Sequence, residues 1–266
     1  MNAEKLLLVL PDVQESTGGE MSLNQWGAVV EQFASQGGRE LLLGGAEPLG
    51  YPGFWVLVRR GAKAGLSRVT AYLSGSLLEP WVMRSLIESG VHLLVALDGL
   101  EPEHHDALHG HGSHARALSA IELFLKQGLA GRLGILATAT ELNRTHLPVL
   151  AAWAAGRGLA RFLWTSVPDG GWPSVQLRAL RLSPEAKTDL AAHMQSVSRS
   201  VAPGAFVGPM DLLEDVALFP GCSPILRVTA RGDAYWGFSG DGGQLGNMKR
   251  TLLADLLTRH AQAAGD

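Results

Sequence analysis

Short apolar segments alternate with longer helical ones along the first 166 residues, and this alternation constrains the fold more than any single motif. Such runs are typical of strands that are buried on both faces of a parallel sheet. Helical segments of about 10–15 residues between them supply the crossovers that parallel strands need. Strands are predicted at Lys5–Leu10, Glu40–Leu43, Arg68–Leu73, Val91–Leu97, Gly134–Thr138 and Arg161–Ser166. Roughly six β/α units fit an open, partial barrel better than a closed eight-fold one.

Helix boundaries follow from residues that cap helix ends. Ser22 and Ser183 are predicted N-caps, and Gly37-Gly38 is a typical C-terminal signal. Pro184, after Ser183, is suited to the first helical position. Helices are predicted at about Leu23–Gln36, Gly53–Ala64, Pro80–Ser89, Ala115–Lys126, Leu147–Arg157 and Pro184–Arg199.

The sequence changes character after residue 200. Ile225–Val228 and Ala234–Trp236 flank a glycine-containing turn, which predicts a β-hairpin. A last helix is predicted at about Leu252–Ala261. We therefore expect two domains, with residues 1–200 forming the barrel and residues 201–266 forming a small hairpin-and-helix extension.

Composition excludes several classes of protein. The 266 residues are 46% hydrophobic and 18% charged, as in a globular protein with a large core. The net charge is -3 and no Lys/Arg run stands out, so we expect no nucleic-acid partner. The apolar run Leu6–Leu10 is too short for a signal peptide or a membrane span, so we expect a cytoplasmic protein without membrane contact. A single cysteine excludes an internal disulfide framework.

The second strand ends in a turn with the features of a binding site. Gly44 and Gly45 follow the apolar run Leu41–Leu43 and permit close approach of the backbone to a ligand. Glu47 comes next, at the rim where α/β folds keep their sites. An ordinary strand-to-helix turn is the alternative interpretation.

The motifs after successive strands resemble those of the radical SAM superfamily, over roughly residues 5–170. There, a G-G-E-P motif follows the second strand, a T-N-G-like turn the third and S-L-D-G the fourth, often before an H-D pair. The matching segments are Gly44–Pro48, Leu73–Gly75, Ala96–Gly99 and His105-Asp106. The resemblance implies a partial (β/α)6 TIM-like barrel with a crevice for S-adenosylmethionine (SAM).

The resemblance also suggests which residues line that crevice. It implies that Glu47 contacts the amino group of SAM, beside Gly44 and Gly45, and that Ser74 and Asp98 line the crevice. Ala46 replaces the second glycine of the usual motif, and Leu73-Ser74 replaces threonine and asparagine.

The cysteines depart from the superfamily pattern. Its members bind a [4Fe–4S] cluster through C-x-x-x-C-x-x-C after the first strand, but Pro11–Gly19 contains no cysteine. The C-terminal segment resembles the SPASM/twitch extension of radical SAM maturases. There Cys222 matches one cysteine, and Tyr235–Gly237 lacks the second. These departures lead us to expect no [4Fe–4S] cluster and no other bound cofactor, while SAM binding stays open with much of its affinity lost, because the iron that anchors SAM in the superfamily is absent.

Five of the nine histidines fall in one short stretch and permit two interpretations. Neutral imidazoles are good ligands for zinc, copper or nickel, so the stretch is a candidate metal site. The alternative is a solvated glycine-rich loop around Gly110 and Gly112. The histidines are His104, His105, His109, His111 and His114.

Two functions remain in view, beside a third in which the chain is a fold relic with a structural role in a complex. The first is a radical-SAM-like pseudoenzyme without catalytic residues, acting as a partner or scaffold of an active radical SAM maturase in peptide modification or cofactor biosynthesis. Its protein partner would be that active homologue or a precursor peptide, and Trp172 and Trp236 are candidates for a contact surface. The alternative is a cluster-independent SAM-dependent transferase, or a metal protein that uses the histidine stretch.

Overall fold

A computed structural model describes residues 4–11, 18–45, 47–167, 179–201, 206–210, 225–237 and 243–263, with residues 261–263 described by backbone alone. Contacts group the chain into two compact units. The first unit comprises Met1–Tyr72, Glu79–His92 and Ser223–Asp266, and the second comprises Leu73–Leu78 and Leu93–Cys222.

Within these residues the structure contains ten strands and eight α-helices. The strands are β1 (Lys5–Val9), β2 (Glu40–Gly44), β3 (Arg68–Leu73), β4 (His92–Ala96), β5 (Leu133–Ala139), β6 (Arg161–Ser166), β7 (Phe206–Pro209), β8 (Ile225–Val228), β9 (Asp233–Trp236) and β10 (Gln244–Asn247). The helices are α1 (Leu23–Ser35), α2 (Phe54–Lys63), α3 (Pro80–Ser89), α4 (Pro102–His109), α5 (Ser113–Lys126), α6 (Leu147–Gly156), α7 (Pro184–Ser200) and α8 (Leu253–Ala263).

The first unit is built on parallel strands with leucine-rich cores. β2 pairs with β1 on one side and β3 on the other. The leucines of β1 and β2 are between 0 and 5% exposed, as expected for strands covered on both faces. On its other edge β1 pairs with β8 in parallel, and β8, β9 and β10 continue as antiparallel strands. The C-terminal hairpin therefore extends the sheet that contains β1.

A capping box fixes the start of α1 in this unit. The backbone N–H of Gln25 donates to Oγ of Ser22, and the Ser22 backbone N–H donates to the Gln25 side chain. Trp26, Val30 and Phe33 form part of the buried face of the helix. The predicted N-cap at Ser22 is confirmed.

The second unit has a parallel sheet in the order β4-β5-β6-β7. All seven residues of β5 are buried, so this strand lies inside the unit. The carboxyl end of β4 lies beside the middle of β5, because Val95 pairs with Ile135 and Ala96 with Leu136. Polar groups that follow these two strands are thereby brought together.

The predicted alternation of strands and helices is confirmed through β6, as are the C-terminal hairpin and the last helix. Among the strands and α-helices, three were not predicted: α4, β7 and β10. The proposed domain boundary at residue 200 stays a prediction. None of the helices in the described ranges is long and apolar enough to cross a membrane.

Candidate functional site

The turn after β2 places Glu47 next to a glycine that the fold requires. Gly45 has φ +128°, and a Cβ on it would lie 2.6 Å from the carbonyl oxygen of Leu10. The Leu10 N–H donates to the carbonyl oxygen of Gly44 at 2.8 Å, which holds the end of β1 against this turn. The backbone of Gly44 and Gly45 therefore lies close to Leu10 of the same chain, which accounts for part of the requirement for glycine here.

Glu47 itself is half-buried and begins a short 3₁₀ turn, Pro48–Gly50. Its Oε1 accepts a hydrogen bond from the Leu49 N–H at 3.4 Å, and Pro48 occupies the first helical position. The carboxylate thus stands at the carboxyl end of a parallel strand in the first unit. Ala46, between Gly45 and Glu47, lies outside the described residues.

Ser74 belongs to the second unit and organises the turn after β3. Its Oγ accepts from the Ser76 N–H at 3.2 Å and lies 2.8 Å from the Ser76 Oγ. Gly75 has φ +84°, a conformation that favours glycine. The roles of Glu47 and Ser74 in contacting SAM stay predictions.

Asp98 follows β4 and lies at the centre of a buried polar cluster in the second unit. Its side chain is 1% exposed, and Oδ1 accepts from the Thr138 N–H at 2.5 Å. Oδ2 lies 3.0 Å from Nδ1 of His105 and 2.7 Å from Nε2 of His109. Both carboxylate oxygens of Asp98 are therefore engaged within the unit, and its role in lining a SAM crevice stays a prediction.

Burial raises the pKa of the Asp98 carboxyl, but the neighbouring imidazoles of His105 and His109 lower it by more. The pKa of Asp98 therefore lies below its usual value, so the group is ionised at neutral pH. A buried carboxylate of this kind needs compensating partners.

Asn143 completes the cluster and was missed by the sequence reasoning. Its Nδ2 donates to the carbonyl oxygens of Asp98 at 2.9 Å and Thr138 at 2.8 Å, while its Oδ1 accepts from the Thr140 N–H. It ties together the residues that follow β4 and β5. The sequence does contain a pattern that could have indicated Asn143. The polar residues Thr138, Thr140 and Asn143 come at and after the end of an apolar strand, and polar side chains that are buried there need hydrogen-bond partners.

The histidine stretch is mostly helical, so the interpretation as a solvated loop holds for His111 alone. His104, His105 and His109 lie on α4, His111 lies in the turn before α5 with its side chain fully exposed, and His114 lies in the first turn of α5. His105 and His109 stack with 4.4 Å between ring centroids, whereas His104 packs against His146. The structure therefore brings two of the five histidines to Asp98.

Asp106 caps the following helix from a position on α4. Its Oδ1 accepts from the His114 N–H at 2.8 Å and from the Ser113 hydroxyl, and its Oδ2 accepts from the Gly112 N–H at 2.8 Å. Backbone hydrogen bonds from His114 and Gly112 lower the pKa of Asp106 to about 2. The H-D pair thus has two structural roles here, since His105 contacts Asp98 and Asp106 fixes the start of α5.

Asp106→Ala is expected to destabilise the protein in a pH-dependent way. The pKa of Asp106 is about 2 in the folded protein against an ordinary value of 3.8. The carboxylate therefore stabilises the fold fully above about pH 4, and this contribution is lost as the pH falls towards 2. Urea unfolding midpoints at pH 7 and pH 2.5 measure the effect.

The gap between wild type and Asp106→Ala should be present at pH 7 and shrink at pH 2.5. Asp189→Ala, at an exposed site on α7, is the matched control. A gap that is equal at both pH values would show that the carboxylate charge does not cap α5.

Of the two tryptophans predicted to form a contact surface, the structure tests one. Trp236 is 2% exposed, so its prediction as a surface residue is wrong, because β9 turns it into the core of the first unit. Trp172 lies outside the described residues, as do Cys222 and most of the Pro11–Gly19 loop.

Comparison with known sequences and structures places this fold in a family. The sequence model of the Radical SAM superfamily matches residues 10–147, just over half of the chain. The chain belongs to the radical SAM superfamily. This confirms the resemblance drawn from the motifs after β2, β3 and β4.

Two relatives of known activity share part of the sequence. The AdoMet-dependent heme synthase of Methanosarcina barkeri is 36% identical over 110 residues, which are 41% of this chain and 31% of the relative. The GTP 3′,8-cyclase of Rhizobium meliloti is 31% identical over 155 residues, 56% of this chain and 44% of the relative. The chain therefore spans less than half the length of either relative.

A solved structure supports the fold over nearly the whole chain. SuiB of Streptococcus suis, bound to S-adenosylmethionine, has a TM-score of 0.66 at 11% identity over 96% of this chain and 65% of SuiB. SuiB bound to precursor peptide SuiA gives a TM-score of 0.64 at 12% identity, covering 96% of this chain and 64% of SuiB. The predicted α/β partial barrel of the radical SAM type is confirmed. The SPASM/twitch assignment of the C-terminal segment stays a prediction.

The expectation that this chain has no cofactor is wrong. It belongs to a superfamily whose members bind SAM and a [4Fe–4S] cluster, a relative is named AdoMet-dependent, and SuiB was solved with SAM. The expectation rested on the missing cysteines of the loop after the first strand and of the C-terminal segment. The turn at Gly45 and Glu47 is a separate part of the fold, so the change in the cysteine loop does not remove it.

The single cysteine of this chain does not provide the ligands that the [4Fe–4S] cluster of the superfamily needs. Such a cluster takes three cysteine thiolates from the protein. Cys222 is the single cysteine in these 266 residues. The other two thiolates of a cluster with that ligation would have to come from outside this sequence.

Proposed function

We propose that this chain is a SAM-binding partner of a second radical SAM protein, which carries out the radical chemistry of peptide modification or cofactor biosynthesis. The observation that carries the proposal is a radical SAM superfamily fold with one cysteine. Membership supports a ligand crevice in this chain, and the cysteine count supports radical chemistry that depends on another protein.

SAM binding is supported by the turn after β2. Gly45 is held in a conformation that favours glycine and in backbone contact with the end of β1. Glu47 follows at the carboxyl end of a parallel strand, the position at which open α/β sheets bind ligands. A carboxylate at this position suits the positively charged amino group of SAM, because charge-assisted hydrogen bonds are stronger than neutral ones.

The similar proteins support the class of reaction that we propose for the second radical SAM protein. A heme synthase builds a cofactor, and SuiB binds a precursor peptide. We expect a chain that acts as a partner of such an enzyme to bind SAM. We do not expect it to cleave SAM when it is alone, because its one cysteine does not provide the three thiolates of the cluster.

Calorimetric titration of SAM into the purified chain tests the first half of the proposal. We expect saturable binding of about one SAM per chain. Affinity capture of the tagged chain from its native host tests the second half, and should recover a protein with a C-x-x-x-C-x-x-C motif in stoichiometric amount. No heat of binding would overturn SAM binding, and recovery of the chain without such a protein would overturn the partner role.

A further inference from the structure

Three potential metal ligands converge at the end of β4 in the second unit. Oδ2 of Asp98, Nδ1 of His105 and Nε2 of His109 all lie within 4.8 Å of one another. The two histidines are four residues apart on α4, so one face of the helix presents both rings to the carboxylate. They come from a helix that the sequence did not predict, which is why the group was not visible beforehand.

The contact between Asp98 and His109 is not an ordinary hydrogen bond. Nε2 of His109 is buried and lies 2.7 Å from Oδ2, yet it lacks the alignment of a hydrogen bond. The only ion-pair partners of Asp98 among the described residues are His105 and His109, and no lysine or arginine there reaches it. The buried carboxylate therefore has two imidazoles and one backbone N–H as partners but no permanent positive charge, and a bound cation would supply one.

We propose that Asp98, His105 and His109 form a three-ligand site for one divalent transition-metal ion of the zinc class. Two imidazoles and a carboxylate are a ligand set of zinc enzymes, in which a fourth position is left for water or substrate. His109 is 21% exposed and the other two side chains are 1% exposed, so the open position lies on the His109 side.

Two of the three ligand separations require only a small change to admit an ion. Ligand atoms about 2.0–2.2 Å from a tetrahedral zinc lie roughly 3.3 Å from one another. The separations of 2.7 and 3.0 Å would therefore widen by a few tenths of an ångström. The Thr138 N–H donates to Oδ1 of Asp98 and leaves Oδ2 for the ion, so the carboxylate is already oriented by a backbone donor.

This site is smaller than the metal site considered from the sequence, and it does not depend on SAM binding. His111 is fully exposed and outside the group, and His104 packs against His146 instead. The buried Asp98, which no histidine pattern indicates, supplies the third ligand.

Cobalt titration of the chelator-treated, tag-free chain tests the proposal. Co²⁺ gives visible absorption bands whose intensity reports four-coordinate ligation, and Zn²⁺ should displace it. We expect saturation at about one Co²⁺ per chain. His109→Ala should weaken binding by more than about 100-fold, the upper end of the loss when a group that only orients a ligand is removed.

Two further variants keep the test interpretable. His111→Ala, a fully exposed histidine close in sequence, should bind Co²⁺ as the wild type does. Asp98→Asn keeps the oxygen that accepts from Thr138 and removes the charge, so it should fold and bind weakly. Absence of a saturable cobalt spectrum, or equal loss in His109→Ala and His111→Ala, would overturn the proposal.

Discussion

Replacing Asp98 with alanine is expected to lower the free energy of unfolding by about 3–5 kcal/mol, the loss typical when one partner of a buried ion pair is removed. The change leaves the Thr138 N–H and His105 without their buried acceptor, and His109 without the carboxylate that it contacts. It also removes the hydrogen bond from Thr138 of β5 to the Asp98 side chain, whereas Asn143 can still donate to the backbone carbonyl oxygen at position 98. Urea unfolding followed by circular dichroism measures the effect at neutral pH.

Asp98→Asn is the matched variant for this experiment. Its amide oxygen can still accept from Thr138, so we expect a smaller loss of about 1–3 kcal/mol, as for one unsatisfied buried group. The difference in the free energy of unfolding between the two variants separates the contribution of the hydrogen-bond acceptor from that of the charge. A midpoint for Asp98→Ala within error of wild type would show that the cluster does not stabilise the second unit.

Glu47→Gln is expected to weaken SAM binding by about 10- to 100-fold, since a hydrogen bond to a charged group contributes about 1.5–3 kcal/mol. The substitution keeps the side-chain length and an oxygen that can accept from the Leu49 N–H, so the turn should fold normally. It removes the negative charge of Glu47, which we propose binds the positively charged amino group of SAM. Calorimetric titration of both proteins measures the change.

Glu31→Gln is the control for this comparison. Glu31 lies on α1 in the same unit, and its side chain is 62% exposed and 3.5 Å from Arg60. It should bind SAM as the wild type does. Equal affinities for wild type and Glu47→Gln would remove Glu47 from the binding site even if SAM binds elsewhere.

The strands and most helices were predictable because their signals are local. Continuous apolar runs mark β1 to β6, and Ser22 and Ser183 cap helices where the sequence indicated. β7 was not predictable in this way, since Phe206–Pro209 has four residues including glycine and proline, and its pairing with β6 is a tertiary effect.

The site was predictable only in part, for the same reason. Helix α4 has a weak apolar pattern, and His105 is its single buried residue, so no periodicity marked it. The position of Asp98 after a strand was evident, but its partners come from a helix and from Thr138, 40 residues away. Contacts between residues far apart in sequence depend on the register of β4 against β5, which no local motif encodes.

The most direct test of the proposed function is the fate of SAM incubated with the chain alone under anaerobic, reducing conditions. Bound nucleotide is separated by filtration and analysed by chromatography together with any methionine released. We predict about one intact SAM retained per chain and no methionine above the protein-free control. Failure to retain SAM, or methionine released in step with the protein, would contradict a partner that binds SAM and leaves the radical chemistry to a second protein.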